Sequence, residues 1–309
     1  MTTAGLAARR AAWCALAEVD AGRQDRLGEA LILDGLSPED AGLAREIALG
    51  ALRHAILYDA LAQRFLERGR AKPDLRRILR LAAHQLFACD QIPPYAVGQT
   101  SVDLLRQEGC GHLTGVANAV IRRLAALRGE DRIETGPLGR LSPADRPTDL
   151  ATRHGLPRPL VDDLMPLLDG EDAEARLSLL TTVPPLCTRL RPGPRVPPGR
   201  SVIRSEGDWW WWEDPQEALR GHVADGRCVV QDRAQARSID LASPRPLERV
   251  LDLCAAPGGK ALYLADLGCR VVASDLPGPR MVRLAALRDQ GVAVLAQDGR
   301  QAALAEGAF

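Results

Sequence analysis

The residues best suited to chemistry lie in Val250-Leu-Asp-Leu-Cys-Ala-Ala-Pro-Gly-Gly-Lys260. The apolar run before Cys254 predicts a buried parallel strand, broken by Asp252. Ala255-Ala-Pro-Gly-Gly259 is a tight small-residue turn, and residues 261–267 carry helical spacing. Strand, glycine turn and helix together aim backbone N–H groups and a helix N-terminus at a ligand. Side chains at Gly258 and Gly259 would fill the space a nucleoside needs, so glycine is expected there. Two acids follow in series. Asp275 ends the next predicted strand, where a carboxylate accepts hydrogen bonds from both ribose hydroxyls. Asp298 follows the third, within reach of an adenine amino group. The alternative for each acid is a helix N-cap or loop acid. A dinucleotide fold would want G-x-G-x-x-G, and a nucleotide hydrolase G-x-x-x-x-G-K-[ST]; the chain has neither at this turn.

The elements that position these residues form an α/β segment from about residue 228. Strands are expected at 250–254, 270–274 and 293–296, with helices at 258–267 and 278–290, which predicts a doubly wound parallel sheet with right-handed crossovers. The first 130 residues read instead as all-helical. Helices are expected over 8–16, 26–33, 38–57, 58–66, 73–89, 96–108 and 114–127. Ser37-Pro-Glu-Asp40 marks a helix start, with Ser37 as N-cap. Residues 131–150 are rich in Gly, Pro and charge and read as a linker. Residues 151–200 give two short helices and a strand-like 183–190. For Trp209-Trp-Trp-Trp212, a β-hairpin edge with alternate rings packed inward is preferred to a stacking platform for single-stranded nucleic acid.

The 309 residues are 46% hydrophobic, enough for two or three domains with real cores. No apolar run approaches the roughly 20 residues of a membrane span, and the N-terminus lacks a signal peptide's order. Seven cysteines (Cys14, Cys89, Cys110, Cys187, Cys228, Cys254, Cys269) are scattered without metal-ligand spacing. They point to a reducing, cytoplasmic compartment and to no metal. Net charge is zero, with Lys72 and Lys260 the only lysines. Arg64, Arg68, Arg70, Lys72, Arg76, Arg77 and Arg80 form a basic cluster, opposed locally by Glu67 and Asp74, that suits phosphate contact. A solvated helix face is the alternative.

Asp252-Leu-Cys-Ala-Ala-Pro-Gly-Gly-Lys260 resembles the cofactor motif of S-adenosylmethionine-dependent RNA cytosine-C5 methyltransferases. The helical region resembles the NusB fold that precedes this catalytic domain in the RsmB (Sun/Fmu) group. The supporting segments are Ala48-Leu-Gly-Ala-Leu-Arg-His54, Leu75-Arg-Arg-Ile-Leu-Arg-Leu-Ala-Ala-His-Gln-Leu86, Pro94-Tyr-Ala-Val-Gly-Gln-Thr-Ser-Val102, Gly115-Val-Ala-Asn-Ala-Val-Ile-Arg-Arg123 and Val229-Val-Gln-Asp-Arg-Ala-Gln235. The resemblance implies a multidomain α and α/β protein. A NusB-like bundle (1–130) and linker (131–150) would lead to a small α+β middle domain that binds RNA (151–235). The first half of a class I, Rossmann-like methyltransferase sheet (236–309) would follow. It implies S-adenosyl-L-methionine held by Cys254, Ala255, Ala256, Pro257, Gly258, Gly259, Lys260, Asp275 and Asp298. It further implies a monomer that methylates cytosine C5 in RNA, most naturally 16S ribosomal RNA. Ala261 departs from the Thr often found after the lysine. The family's nucleophile lies in a Thr-Cys motif, with a second cysteine in Asp-Ala-Pro-Cys-Ser-Gly. Neither occurs up to Phe309, so Cys254 is expected to line the cofactor, and the catalytic cysteine to lie beyond a truncated end. The first strand would then be an exposed apolar edge. A non-catalytic NusB-like RNA-binding module is the alternative function. A small-molecule methyltransferase fits the helical and middle regions less well.

Overall fold

Apolar residues recurring every three to four positions build seven α-helices in the first part of the chain, counted among the described residues. They are α1 (Leu6–Asp20), α2 (Leu27–Ala30), α3 (Pro38–Arg53), α4 (Ala55–Gln63), α5 (Pro73–Ala88), α6 (Pro94–Gln107) and α7 (Thr114–Ala126). The structure is a computed structural model that describes residues 5–24, 26–66, 71–129, 146–168, 173–194, 197–301, 304–305 and 307–309. It divides into two compact units, Met1–Thr182 and Val183–Phe309. Among the described residues no helix is long and apolar enough to cross a membrane.

α3 begins as its sequence requires, with Ser37 Oγ accepting from the Asp40 N–H at 3.1 Å and Pro38 in the first turn. The helix expected to run on to residue 57 breaks at His54, whose φ of −104° and ψ of 21° separate α3 from α4. α5 is the centre of the bundle and packs against α1, α3, α4, α6 and α7. With neighbours on every side it keeps little free polar face. Arg77, His84 and Gln85 are buried beside Leu75, Ile78, Leu79, Leu81 and Leu86. Each buried polar group then needs an internal partner; Gln85 Oε1, for example, accepts from Arg9 Nε at 2.7 Å. A Cβ at Gly50 of α3 would fall 1.9 Å from the His84 ring, so that glycine lets the imidazole lie against the α3 backbone. Three more helices complete this unit: α9 (Arg158–Leu164) and α10 (Ala173–Leu179) lie where two short helices are expected, and α8 (Arg146–Arg153) begins inside the expected linker. Leu150, Leu156, Val161 and Leu177 form their core.

The second unit opens with an antiparallel sheet of β1 (Leu186–Leu190), β2 (Val202–Glu206), β3 (Trp209–Trp212) and β4 (Cys228–Val230), in the order β2-β3-β1-β4. The tryptophan strand β3 is therefore internal, which corrects the hairpin-edge expectation. Three of its four rings are buried, and only Trp211 is partly open, beneath the Arg204 guanidinium at 4.6 Å. Trp210 and Trp212 pack on one face, where Trp212 Nε1 donates to Thr188 Oγ1 at 2.8 Å. Trp209 faces the other way and meets Tyr263 edge-on at 5.9 Å. Both faces of the strand are covered, so alternation does not separate inward from outward rings. α11 (Pro215–Ala218) lies between β3 and β4, and α12 (Arg233–Ala242) follows β4.

The rest is the α/β alternation read from the sequence: β5 (Arg249–Asp252), α13 (Gly259–Asp266), β6 (Arg270–Asp275), α14 (Met281–Ala285) and β7 (Ala293–Ala296). The three strands are parallel in the order β5-β6-β7, with Val250 opposite Val271 and Ala273 opposite Val294. Among the described residues β5 pairs only with β6. Ile239 of α12, Ala261, Leu264, Val271, Ala273 and Leu284 fill the core of this layer.

Candidate cofactor site

β5 delivers Asp252 to the carboxyl edge of the parallel sheet, and the chain turns through residues 253–258 before α13 begins. Ligands of open α/β sheets sit at this edge. The turn is held by β6 beneath it. The Ala255 N–H donates to Ser274 O at 2.9 Å, and Ser274 Oγ donates to Leu253 O at 3.0 Å. Asp275 grips the turn directly, its Oδ2 accepting from the Ala256 N–H and its Oδ1 from the Leu276 N–H, each at 2.8 Å. The Gln297 N–H donates to Asp275 O at 3.0 Å, which brings the tip of β7, and Asp298 after it, alongside. Cys254 and Lys260 are exposed at this edge, and Ala255 is buried.

The two glycines do different things. Gly258 takes φ of +109°, and a Cβ there would lie 2.3 Å from Leu287 Cδ1 and 3.3 Å from Leu284 Cδ1. It is glycine for backbone freedom and for packing against the segment after β6, which corrects the expectation that it keeps ligand space open. At Gly259 the nearest atom to such a Cβ is Gln231 Nε2 at 3.9 Å, so the opening is there.

The acids also divide. Asp252 is buried and its Oδ2 has no hydrogen-bond partner. Burial, opposed by Lys260 and reinforced by Asp275, raises its carboxyl above the usual carboxylate range. The Arg300 side chain, bonding Asp298 Oδ2 from its terminal nitrogen at 2.6 Å, holds that carboxyl below its ordinary value; the Arg300 N–H also donates to Oδ1 at 3.0 Å. The loop-acid arrangement weighed as the alternative is thus present at Asp298. The turn offers three features that a hydroxyl- and amine-bearing ligand could use: an unpartnered buried carboxylate oxygen on Asp252, an open Gly259 and Asp275 already aligned at the strand tip.

Two further residues, Gln231 and Arg189, carry no signal in the sequence that marks them as part of the site, although Gln231 lies in the 229–235 segment. Gln231 is buried after β4. Its Nε2 donates to Gly259 O at 3.0 Å, and its Oε1 accepts from Arg189 Nε at 2.8 Å. Arg189 in turn donates to Asp266 Oδ2 at 2.7 Å, both side chains buried, and stacks on Tyr263 with its guanidinium carbon 4.5 Å from the ring centroid. The antiparallel sheet is thereby bonded to the first turn of α13.

The basic cluster resolves differently from its sequence reading. Arg68 and Arg70 lie outside the described residues. Arg64 and Lys72 are exposed and Arg76 is half-buried. Arg77, far from projecting outward, is 7% exposed, bonded to Asp74 at 2.9 Å, 3.4 Å from Asp20 and stacked over Trp13. Arg80 makes a two-pronged contact with Asp59 at 2.7 and 2.5 Å and lies 3.5 Å from Asp20. Both are corrected from phosphate contacts to internal ion pairs, because α5 has helices on all sides and α1 and α4 supply the acids.

Comparison with known proteins agrees with this architecture. The NusB family matches residues 6–126, and the family described as 16S rRNA methyltransferase RsmB/F matches residues 239–308. A probable ribosomal RNA small subunit methyltransferase B of Synechocystis sp. is 28% identical over 268 residues, covering 81% of this chain and 58% of that protein. A putative methyltransferase of Mycobacterium tuberculosis is 31% identical over 332 aligned positions, covering 97% of this chain and 70% of that one. The crystal structure of PH0851 shares the fold, with a TM-score of 0.68 at 21% identity over 98% of this chain and 71% of that one. The chain thus spans little more than half the length of the Synechocystis relative. With both family models matched in this order and a relative 31% identical over 70% of its length, the chain belongs to the RsmB/F family, described as 16S rRNA methyltransferases.

Proposed function

We propose that the chain binds S-adenosyl-L-methionine at the 254–260 turn and serves methylation of cytosine C5 in RNA, 16S ribosomal RNA being the substrate. The observation that carries the reading is Asp275, whose carboxylate bonds the Ala256 and Leu276 amides and keeps further lone pairs for two ribose hydroxyls. Ala256, Pro257, Gly258, Gly259 and Lys260 would line the methionine and ribose end. Asp298 would lie toward the adenine while remaining paired with Arg300. The cofactor supplies an electrophilic methyl group on a sulfonium. This chain's residues bind it, orient it and, through the buried Asp252, place negative charge near that end of the site. Cys254 belongs to the turn as a lining residue, and the nucleophile that attacks cytosine C6 is expected in a Thr-Cys motif. The names of the relatives and the NusB match support RNA as the macromolecular partner, with exposed Arg64 and Lys72 as candidate contacts.

Titration calorimetry with S-adenosylmethionine tests the reading. Saturable binding to the wild type, weakened at least about ten-fold in Asp275→Ala, is expected. Each missing charge-assisted contact is worth roughly 1.5–3 kcal/mol. RNA binding without cofactor binding would replace this reading with the non-catalytic RNA-binding module.

A further inference from the structure

Away from the cofactor site, the first unit brings together three side chains of three different donor types. Glu46 comes from α3, His84 from α5, and Cys89 is the residue that ends α5. One carboxylate oxygen, one imidazole nitrogen and the thiol sulfur all lie within 4.8 Å of one another, the one such group of three among the described residues. The spacing of these residues gave no hint of it, since α3 and α5 meet only in the folded bundle. His84 is 3% exposed and held in one orientation. Its ring lies against Gly50, its Nδ1 is 3.1 Å from the Tyr58 hydroxyl, and its Nε2 is 2.9 Å from Glu46 Oε1.

We propose that Glu46, His84 and Cys89 form a binding site for a borderline-soft divalent metal ion, with zinc the natural occupant. Carboxylate, imidazole and thiolate are zinc's three protein donor types, and four-coordination would leave one position for water on the exposed Glu46 side. With Nε2 turned to the ion, the Nδ1–H donates to the Tyr58 oxygen, the outer contact that fixes tautomer and ring angle in metal-bound histidines. Burial pushes the Cys89 thiol up to about 11, so without an ion it keeps its proton. On binding, the S–H bond is replaced by an S–metal bond and the proton leaves to solvent, with no change of oxidation state. The His84–Glu46 hydrogen bond gives way to two metal bonds. The thiolate and the carboxylate together balance the ion's charge. Of the other charges nearby, Arg9 and Arg128 face Cys89 and Arg53 faces Glu46, while Asp90 adds a negative charge beside Cys89. An occupied site would staple the end of α5 to α3.

The test uses the full chain, stripped with a chelator and titrated with cobalt(II), then with zinc. One equivalent of cobalt should bind with a thiolate-to-metal charge-transfer band, and zinc should displace it. Cys89→Ser should abolish the band. Glu46→Gln, a change at an exposed side chain that leaves the fold intact, should keep the band and weaken zinc binding by about ten-fold or more. Circular dichroism checks that both variants are folded. No charge-transfer band in the wild type, a band that survives Cys89→Ser, or zinc affinity unchanged in Glu46→Gln would each overturn the assignment.

Discussion

Replacing each glycine of the turn by alanine separates packing from ligand space. At Gly258 the new Cβ meets Leu287 Cδ1 at 2.3 Å and Cγ at 3.2 Å, on a backbone with φ of +109°. A residue forced into that conformation costs roughly 1–3 kcal/mol, and overpacking a well-filled site costs about 1–3 kcal/mol more. Gly258→Ala should therefore lose roughly 2–6 kcal/mol. Urea unfolding followed by tryptophan fluorescence reads this directly, because four of the five tryptophans, Trp209–Trp212, belong to the second unit. With a urea slope of about 2 kcal/mol/M, the midpoint should fall by at least roughly 1 M. Outside its own turn of helix, the Cβ of Gly259→Ala meets nothing nearer than Gln231 Nε2 at 3.9 Å, so its stability should stay within about 0.5 kcal/mol of the wild type while S-adenosylmethionine binding weakens. Leu287→Ala in the Gly258→Ala background should recover about 0.5–3 kcal/mol as a coupling energy, since only the clash and not the φ strain is relieved. A Gly258→Ala midpoint equal to the wild type's, or strictly additive effects in that cycle, would refute the argument.

Gln231→Leu removes both the donor to Gly259 O and the acceptor for Arg189. A stability loss of roughly 1–3 kcal/mol and weaker cofactor binding in calorimetry are expected; unchanged binding would sever the antiparallel sheet from the site. Arg77→Ala leaves the half-exposed Asp74 without its cation and Asp20 with Arg80 alone, so it should cost about 1–3 kcal/mol in urea unfolding. RNA affinity per folded molecule should stay the same, whereas Lys72→Ala should do the reverse. For Asp252 the sign follows from its raised carboxyl: the folded state binds the proton more tightly, so stability is lost as pH rises through the folded value. Asp252→Asn should be more stable than the wild type at neutral pH, with the gap narrowing as the pH falls through the raised folded value and closed below the unfolded value of about 3.9. A gap that does not change with pH would contradict the burial of that charge.

The parallel sheet and its turn were legible because their signals are local. Apolar runs at 250–254, 270–274 and 293–296, a small-residue turn and acids at strand tips all lie within a few residues of what they determine. What escaped depends on partners brought from afar. Nothing near Arg77 or Arg80 in the chain announces that Asp20 and Asp59 will neutralise them, and a basic helix face looks the same whether solvent or another helix covers it. The four tryptophans alternate in direction as any strand must, yet only the fold reveals that Tyr263 and His222 cover opposite faces. Gln231 has no composition signal at all; its importance is two hydrogen bonds made across a sheet boundary. At Gly258 the sequence shows that glycine is required but not that the reason is Leu287, which is 29 positions further on.

The double anchoring of Asp275 bears on how a ligand would be received. A loose carboxylate on a loop must give up its rotamers when it engages two hydroxyls, and ordering such a side chain costs about 0.5–1.5 kcal/mol of binding energy. Here the Ala256 and Leu276 amides have already frozen it during folding. The entropy is surrendered once, when the chain folds, and not at each encounter with a nucleoside. For the ligand proposed above, the turn would be a preorganised receptor, and tightening it further by mutation should gain little affinity.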